Sequence, residues 1–306
     1  HPKKKICLPR HLFVKNIIHD NYICIIMYFP IINRFTCSKS QLVRVKNSIN
    51  CLNMKAILDY TNENHNDHKT NFNEISQLVH NFKNETIAVK LSALNINNPQ
   101  NVENYLHKIM DISVKNNNTV LIDAENFEIQ DKINHITDLF MEQYNRDKLH
   151  IYKTYQLYRN DYLDILRNDI TKERDYHIGF KLVRGAYYNQ DKSYNILFDS
   201  ISETHANYNA GISLFANSFK PGDKLLCATH NTESIEIAIR HIREQNLHKE
   251  IEFAQLMGMS DKQSQKLAQE KYTVYKYVPY GDFKDTLPYL IRRLYENYPM
   301  VMNVWK

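Results

Sequence analysis

YVPYGDFKDTLPYLIRRLYEN (residues 277–297) joins the end of a predicted strand to an amphipathic helix. Apolar side chains recur there at helical spacing and form one stripe: Leu287, Leu290, Ile291, Leu294, Tyr295 and Tyr298. Asp285 or Thr286 is a suitable N-cap, and Pro288 falls in the first turn, where a missing N–H costs least. The stretch therefore predicts a strand, a short loop and a helix.

Two adjacent arginines lie on the helix face opposite this stripe. Arg292 and Arg293 share that face with Tyr289 and Glu296. Two guanidinium groups so placed can bind one carboxylate with fixed charge and forked geometry, which lysine cannot imitate. The alternative is a solvated face with an Arg292–Glu296 pair, worth a few tenths of a kcal/mol. The rest of the chain has to decide between a carboxylate site and a plain surface.

The same alternation of strand and helix runs through most of the chain. Short β-branched runs predict eight strands, at residues 56–60, 86–92, 119–124, 150–155, 179–183, 225–229, 250–254 and 273–277. Helical patterns follow them at residues 73–82, 101–114, 134–144, 162–171, 195–215, 232–243, 261–269 and from Asp285. Eight such units predict an α/β fold of the (βα)8 TIM-barrel type. A doubly wound open sheet is the alternative, although no predicted strand leads into a GxGxxG turn.

Charge is concentrated at the N-terminus. Residues 1–58 carry ten Lys or Arg and one acid, Asp20, whereas the remainder carries 29 basic and 33 acidic side chains. We interpret residues 1–55 as a basic, targeting-like and partly disordered segment, and residues 56–306 as the catalytic domain. A basic leader of this kind does not indicate nucleic-acid binding, which needs basic residues across the folded body.

Other features of the N-terminal segment set further expectations. The apolar run at residues 22–32 is interrupted by Pro30 and is too short to span a bilayer. The chain begins with His1 rather than Met, so we expect it to be a piece of a longer protein. The five cysteines form no CxxC pair, which predicts reduced thiols and no structural zinc.

Polar residues collect at the predicted carboxyl ends of the strands, where a barrel places its chemistry. They are Asp59, Glu63, Lys90, Asp123, Glu125, Gln156, Lys181, Arg184, Tyr187, Thr229, His230, Asn231, Gln255 and Tyr277. Buried charges must pair internally or bind a ligand. The structural alternatives are a Lys90–Asp123 ion pair, a hydrogen-bonded His230 and tyrosines that only fill space. His65 and His68 have no partners at metal-ligand spacing.

Several motifs in one order resemble proline dehydrogenases, in particular the mitochondrial, fungal-type enzymes. They are ILDYTNE, VKLSAL, LIDAE, TYQLY, KLVRGAY (181–187), ATHN (228–231), FAQLMGMSD (253–261), YKYVPYG (275–281) and YLIRRLYEN (289–297). The resemblance implies a distorted (βα)8 barrel that binds FAD noncovalently. It also implies that the last helix lies over the barrel mouth, which would turn Arg292 and Arg293 inward.

Site residues implied by the resemblance fall into two groups. Lys90, Arg292 and Arg293 match the residues that hold the substrate carboxylate. Glu63 matches the glutamate that pairs with an arginine of that doublet to form the gate of the site. The residues that pack around the substrate ring match Tyr187, Leu256, Tyr277 and Tyr289. The matched flavin contacts are Asp123, Gln156, Lys181, Val183, Arg184, Gly185, Ala186, Thr229, His230, Asn231 and Glu296. This chain departs from the pattern at Lys181, where some members have arginine, at His205, where we expect aspartate, and at Ala254, where glycine is common.

The activity implied by the resemblance is oxidation of L-proline to 1-pyrroline-5-carboxylate. A hydride passes from C5 to the flavin, and a quinone, ubiquinone in mitochondria, takes the electrons. The implied location is the matrix side of the mitochondrial inner membrane, with peripheral contact only. Three alternatives stay open: a hydroxyproline dehydrogenase, a Schiff-base aldolase using Lys90 or Lys181, and an inactive remnant kept as an interaction protein.

Overall fold

Eight parallel strands close into a barrel in the computed structural model, which describes residues 33–62, 67–282 and 286. The strands are β1 (Lys55–Tyr60), β2 (Thr86–Val89), β3 (Thr119–Ile122), β4 (Ile151–Gln156), β5 (Gly179–Val183), β6 (Lys224–Ala228), β7 (Ile251–Leu256) and β8 (Val274–Tyr280). Each pairs with the next in sequence, and β8 pairs with β1 through the register Ile57–Tyr277. The predicted (βα)8 barrel is confirmed, and the open-sheet alternative is wrong.

Helices cover the outside of this barrel. Within the described residues they are α1 (Leu42–Asn50), α2 (His68–Asn81), α3 (Pro99–Lys115), α4 (Phe127–Tyr144), α5 (Tyr162–Thr171), α6 (Tyr188–Asp191), α7 (Ile201–Ser218), α8 (Thr232–Gln245) and α9 (Asp261–Gln269). The helix expected from Asp285 lies outside the described residues. Not one of the helices in the described part of the chain is long and apolar enough to cross a bilayer.

The strand side chains alternate between two apolar layers. A small inner cluster fills the barrel and contains Ile57, Ala88, Leu121, Leu226 and Ala254. The opposite faces of the same strands join the helices in a larger outer core. Because successive side chains on a strand point to opposite faces, every second residue near a strand end points into the barrel. This parity brings Asp59, Lys90, Asp123 and Lys181 to one end of the interior.

A segment before β1 packs on the seam between β8 and β1. The Thr36 hydroxyl donates to the Pro279 carbonyl at 2.8 Å, and the backbone of Cys37 bridges to Tyr280. Helix α1 then lies against β1 with Leu42 and Ile49 buried. In a regular barrel the helix that follows β8 covers this seam. Here Thr36 and Cys37 contact β8 and α1 contacts β1, so this segment packs on the barrel, while the domain start at residue 56 stays a prediction.

Helix and strand ends differ from the predictions where local hydrogen bonds decide them. Strand β2 ends at Val89 rather than residue 92, because residues Leu91–Leu94 form a 3-10 turn held by Glu125, which accepts from the Ser92 backbone N–H at 3.0 Å. Helix α7 begins at Ile201 rather than residue 195, since Ser200 and Glu203 form a capping box. Apolar periodicity alone does not contain this information.

Candidate active site

Four charged side chains form one cluster inside the barrel at the carboxyl ends of the strands. The Lys90 ammonium donates to Asp59 Oδ1 at 2.8 Å and lies 3.7 Å from Asp123 Oδ2. The Lys181 ammonium donates to Asp123 Oδ1 at 2.6 Å. The predicted Lys90–Asp123 pair is therefore longer than the pair that Lys90 makes with Asp59. Two ammonium groups and two carboxylates leave this cluster with no net charge.

The Asp123 carboxylate is the centre of the cluster. Burial by itself would raise the pKa of this carboxyl, but the charges of Lys181 and Lys90 outweigh burial and lower the pKa to about 2. The Tyr277 hydroxyl donates to Asp123 Oδ2 at 2.7 Å, and the Tyr277 ring lies 5.1 Å from the Lys181 ammonium. Tyr277 is therefore more than a space-filling aromatic side chain, because Asp123 fixes the direction of its hydroxyl.

A cavity of about 130 Å³ opens beside Lys90. Its lining includes Tyr187, Glu125 and Asn126, from the loops that follow β5 and β3. Glu125 is 4% exposed and accepts from both the backbone N–H and the hydroxyl of Ser92, so its carboxylate shapes the loop after β2. The cavity thus brings a strand-end lysine and a tyrosine from another loop to one opening.

The turn after β5 needs a glycine. Gly185 has a φ of +140°, and a side-chain carbon there would collide with the ring of Tyr158. Tyr158 in turn is fixed by its hydroxyl bond to Asp191. The turn leaves Val183, Arg184, Ala186 and Tyr187 half-buried at the rim of the barrel. The sequence LVRGAY therefore folds as a rigid edge to the cluster of charges.

Arg184 brings a positive charge to this rim without a carboxylate partner among the described residues. Its guanidinium donates to His205 Nδ1 at 2.8 Å, to Thr229 Oγ1 at 2.7 Å and to Ser234 Oγ at 2.9 Å. The guanidinium carbon also lies 4.4 Å from the centre of the Tyr208 ring. Burial lowers the pKa of Arg184, which nevertheless stays charged. A half-buried cation held only by neutral groups is suited to an anionic ligand.

The turn after β6 uses its own side chains internally. Thr229 Oγ1 accepts from the Asn231 backbone, and Asn231 caps α8 by accepting from the Ser234 backbone. Both ring nitrogens of His230 are also engaged, Nδ1 with the Ser260 hydroxyl at 3.0 Å and Nε2 with the Leu256 N–H at 3.3 Å. Burial and the nearby Lys276 charge lower the pKa of His230 to about 4. His230 is therefore neutral and has the structural role that the sequence left open.

Two buried acceptors at this end of the barrel, Asp59 Oδ2 and Gln156 Oε1, have no hydrogen-bond partner among the described residues. Gln156 is 1% exposed, and its Nε2 donates to the Glu125 carbonyl at 2.7 Å. Its Oε1 makes no hydrogen bond to the described residues. An unpaired buried carbonyl costs free energy unless a ligand or water donates to it. Gln156 therefore marks a place for a hydrogen-bond donor of a bound molecule.

The structure brings together most of the predicted site residues. Those that meet at the carboxyl end of the barrel are Lys90, Asp123, Gln156, Lys181, Val183, Arg184, Gly185, Ala186, Tyr187, Thr229, His230, Asn231, Leu256 and Tyr277. Gln255 does not join them, because it faces outward and bonds to Gln263 and Ser264 of α9. Glu63, Tyr289, Arg292, Arg293 and Glu296 lie outside the described residues.

Sequence reasoning missed two residues of this site. Ser234 accepts from Arg184, and His205 does the same from the opposite helix. The position of Ser234 near the strand end could have been read from the sequence, since Ser234 lies three residues after Asn231, which caps α8. His205 carried no signal for this role except its departure from the expected aspartate.

Comparison with known proteins shows which family the sequence resembles. The family model for proline dehydrogenase matches residues 43–304. Mitochondrial proline dehydrogenase 1 of Dictyostelium discoideum is 31% identical over 211 residues, which cover 63% of this chain and 37% of that protein. Hydroxyproline dehydrogenase of Xenopus laevis is 32% identical over 216 residues, covering 66% of this chain and 46% of that protein. The chain thus spans less than half the length of these curated relatives.

The fold has a counterpart among solved structures. Proline utilization A (PutA) from Bdellovibrio bacteriovorus, inactivated by N-propargylglycine, superimposes with a TM-score of 0.79 over 87% of this chain and 32% of that protein, at 18% identity. At that identity the likeness concerns the barrel alone. The family model, by contrast, covers most of the sequence, and the chain belongs to the proline dehydrogenase family.

Proposed function

We propose that this chain oxidises L-proline to 1-pyrroline-5-carboxylate with a noncovalently bound FAD. The family consists of flavoenzymes in general, and the rim of the barrel has the polar groups that such a cofactor needs. The observation that carries the proposal is the half-buried Arg184, held by three neutral acceptors beside the Lys90–Asp123–Lys181 cluster. Neither an aldolase nor an interaction protein requires this combination.

The cofactor would lie across the carboxyl ends of β4, β5 and β6. Arg184 would face an anionic group of FAD, and Gln156 Oε1 would accept from a donor of the flavin. Lys181, Asp123, Val183, Gly185 and Ala186 would form the edge beside it. Because the side chains of Thr229, His230 and Asn231 are already hydrogen-bonded within the turn, their contacts would come from backbone groups and ring edges. Glu296 completes the proposed set.

The substrate carboxylate would bind near Lys90. Since Asp59 already balances the Lys90 charge, that ammonium contributes hydrogen bonds more than net attraction. The net positive charge would come from Arg292 and Arg293, whose forked donors suit a carboxylate. Tyr187, Leu256, Tyr277 and Tyr289 would surround the ring, with Glu63 as the gate. Fixing one end of a small rigid ring in this way supplies the positioning on which the reaction depends.

The bound flavin would accept a hydride from C5 of proline, next to the nitrogen. The nitrogen must be neutral at that moment, because its lone pair forms the new C=N bond. The arginine charges would favour the neutral amine by lowering its pKa. Activity should therefore rise with pH until the free amine predominates.

We further propose that a quinone, ubiquinone in mitochondria, reoxidises the flavin, and that the protein acts on the matrix side of the inner membrane through peripheral contact. The Dictyostelium relative is named as mitochondrial, and residues 1–55 are strongly basic. Reduction of a soluble ubiquinone analogue that depends on proline would test the acceptor. Turnover with a nicotinamide and not with the quinone analogue would contradict it.

The first test is an absorbance spectrum of the purified protein. A flavin band that bleaches on anaerobic addition of L-proline would support the proposal. Trapping of substrate on Lys90 or Lys181 by borohydride would support the aldolase alternative. A correctly folded protein without any affinity for FAD would support the inactive remnant.

The carboxylate site is tested by Arg292→Lys and Arg293→Lys. Lysine keeps the charge but not the fork, so each variant should raise KM for proline strongly while retaining flavin. Arg240→Lys on the outer face of α8 is a matched control with wild-type kinetics. A normal KM for proline in both site variants would exclude the proposed carboxylate site.

Hydroxyproline is a second candidate substrate, because the Xenopus relative with that name is as similar as the proline dehydrogenase from Dictyostelium. The ratio of kcat/KM for L-proline to that for hydroxyproline decides between them. We expect L-proline to be preferred, and a ratio below one would reverse the assignment.

A further inference from the structure

His205, on the first turns of α7, holds Arg184 from the side opposite to β6. Its Nδ1 lies 2.8 Å from Arg184 Nε. A guanidinium can only donate hydrogen bonds, so the His205 Nδ1 must be the acceptor and carry no proton. The ring is therefore neutral, with its proton on Nε2. This fixed protonation state is a structural requirement for the contact.

The contact engages Arg184 Nε, and a hydrogen bond at this atom helps to fix the plane of the guanidinium group. His205, Thr229 and Ser234 occupy three of the five N–H donors of Arg184. Tyr208 covers one face of the group at 4.4 Å. One N–H on each terminal nitrogen remains, and no carboxylate among the described residues accepts from Arg184.

We propose that His205, as a neutral acceptor, is a positioning residue that orients Arg184 toward an anionic group of the cofactor and makes cofactor binding depend on pH. This inference rests on the proposed function. Protonation of His205 would remove the acceptor and place a second positive charge 2.8 Å from the guanidinium. Arg184 would then lose its fixed plane, and affinity for the anionic cofactor would fall.

The charges around His205 are consistent with this arrangement. Burial and the Arg184 charge lower the pKa of His205, while the Glu233 carboxylate from the first turn of α8 raises it in part. These are the charged groups that act on the ring from β5 and α8 in the described part of the chain. Because the pKa lies below the ordinary value of about 6.5, the neutral form already predominates at that pH and is lost as the pH falls through the lowered pKa.

The test is the affinity of the apoprotein for FAD, measured by flavin fluorescence at about pH 7.5 and at the lowest pH at which the protein stays folded. For the wild type, Kd should rise about tenfold once His205 is protonated, as expected for the loss of one charge-assisted hydrogen bond. His205→Asn keeps an acceptor oxygen that does not titrate, so its Kd should change little. His205→Ala removes the acceptor and should bind weakly at both pH values.

Two controls keep the outcomes separate. His241→Asn replaces a histidine of α8 that bonds to Ser213 of α7, and should keep the wild-type pH response. Nitrogen NMR of His205 in the apoprotein should find the proton on Nε2. A proton on Nδ1 at neutral pH, equal pH responses in wild type and His205→Asn, or tighter FAD binding at low pH would each overturn the positioning role. No FAD binding by the wild type at neutral pH would overturn the proposed function itself.

Discussion

At the scale of single residues, Asp123 has the most demanding environment in the described site. It accepts from Lys181 and Tyr277 and lies near Lys90, all inside the barrel. All four groups match family residues: Lys90 in substrate binding, Tyr277 in ring packing, and Asp123 and Lys181 in flavin contact. One carboxylate would therefore connect the proposed substrate side of the site to the proposed cofactor side.

Asp123→Asn should destabilise the protein strongly. The change leaves the buried Lys181 ammonium without its counter-charge, and breaking a buried pair in this way costs about 3–5 kcal/mol. Asp175→Asn removes the exposed partner of Arg146 and should cost less than about 1 kcal/mol. Urea unfolding of both variants measures the difference, and equal losses would contradict the assigned role.

The same ion pair has a defined pH dependence. Because the pKa of Asp123 is about 2 instead of 3.8, the ionised form stabilises the folded state fully above about pH 4. That contribution is lost as the pH falls from about 4 to about 2. The wild type should therefore lose more stability over this range than Asp123→Asn, when each is measured by urea unfolding.

The positions of site residues were predictable where the alternation of side chains along a strand determines them. Lys90, Asp123 and Lys181 were placed at one end of the barrel from their positions on predicted strands. Their pairing was not predictable, because whether Lys90 prefers Asp59 or Asp123 depends on differences of about an ångström. His205 was noticed only as a departure from the family pattern, since contacts between α7 and β5 leave no mark in the local sequence.

At the scale of elements, α1 is the feature that departs most from the sequence interpretation. Its buried Leu42 and Ile49 have helical spacing, and that signal was available. Arg44 and Lys46 belong to the basic N-terminal stretch, so we assigned the helix to the leader on its charge and not on its apolar spacing. The Lys46 ammonium in fact pairs with Glu85 at the start of β2, which is a contact of the folded barrel.

Substitutions in α1 test whether it belongs to the barrel. Leu42→Ala removes a side chain that is 3% exposed and should destabilise by about 2–4 kcal/mol. Val43→Ala changes a neighbour that is 55% exposed and should have little effect. If residues 1–55 were only a dispensable leader, both variants would unfold at the wild-type urea concentration.

At the scale of the whole molecule, cofactor binding and folding should be linked. The cofactor would contact the ends of several strands, so it would bind the closed barrel and not the unfolded chain. FAD at one hundred times its Kd should then add about 2.7 kcal/mol to the free energy of unfolding. Thermal unfolding with FAD measures this gain, with ATP as the control for nucleotide binding. An equal shift with both would contradict a flavin site.

The barrel as a whole was the most predictable property. Eight β-branched runs spaced by amphipathic helices leave few other arrangements, since consecutive parallel strands need a crossover between them. Where the final helix lies could not be derived from its own sequence. The final helix lies outside the described residues, so its position over the barrel mouth stays a prediction.

This seam also sets the order in which a nascent chain acquires its partners. The bond from Thr36 to Pro279 joins positions 243 residues apart. At ribosomal speeds of about 5–20 residues per second, the early segment waits roughly 10 to 50 seconds for the strand that receives it. During that interval α1 can already pack on β1, but the buried Cys37 side chain lacks its native neighbours on β8. Chaperones that bind exposed apolar segments during translation are therefore expected to engage this end first.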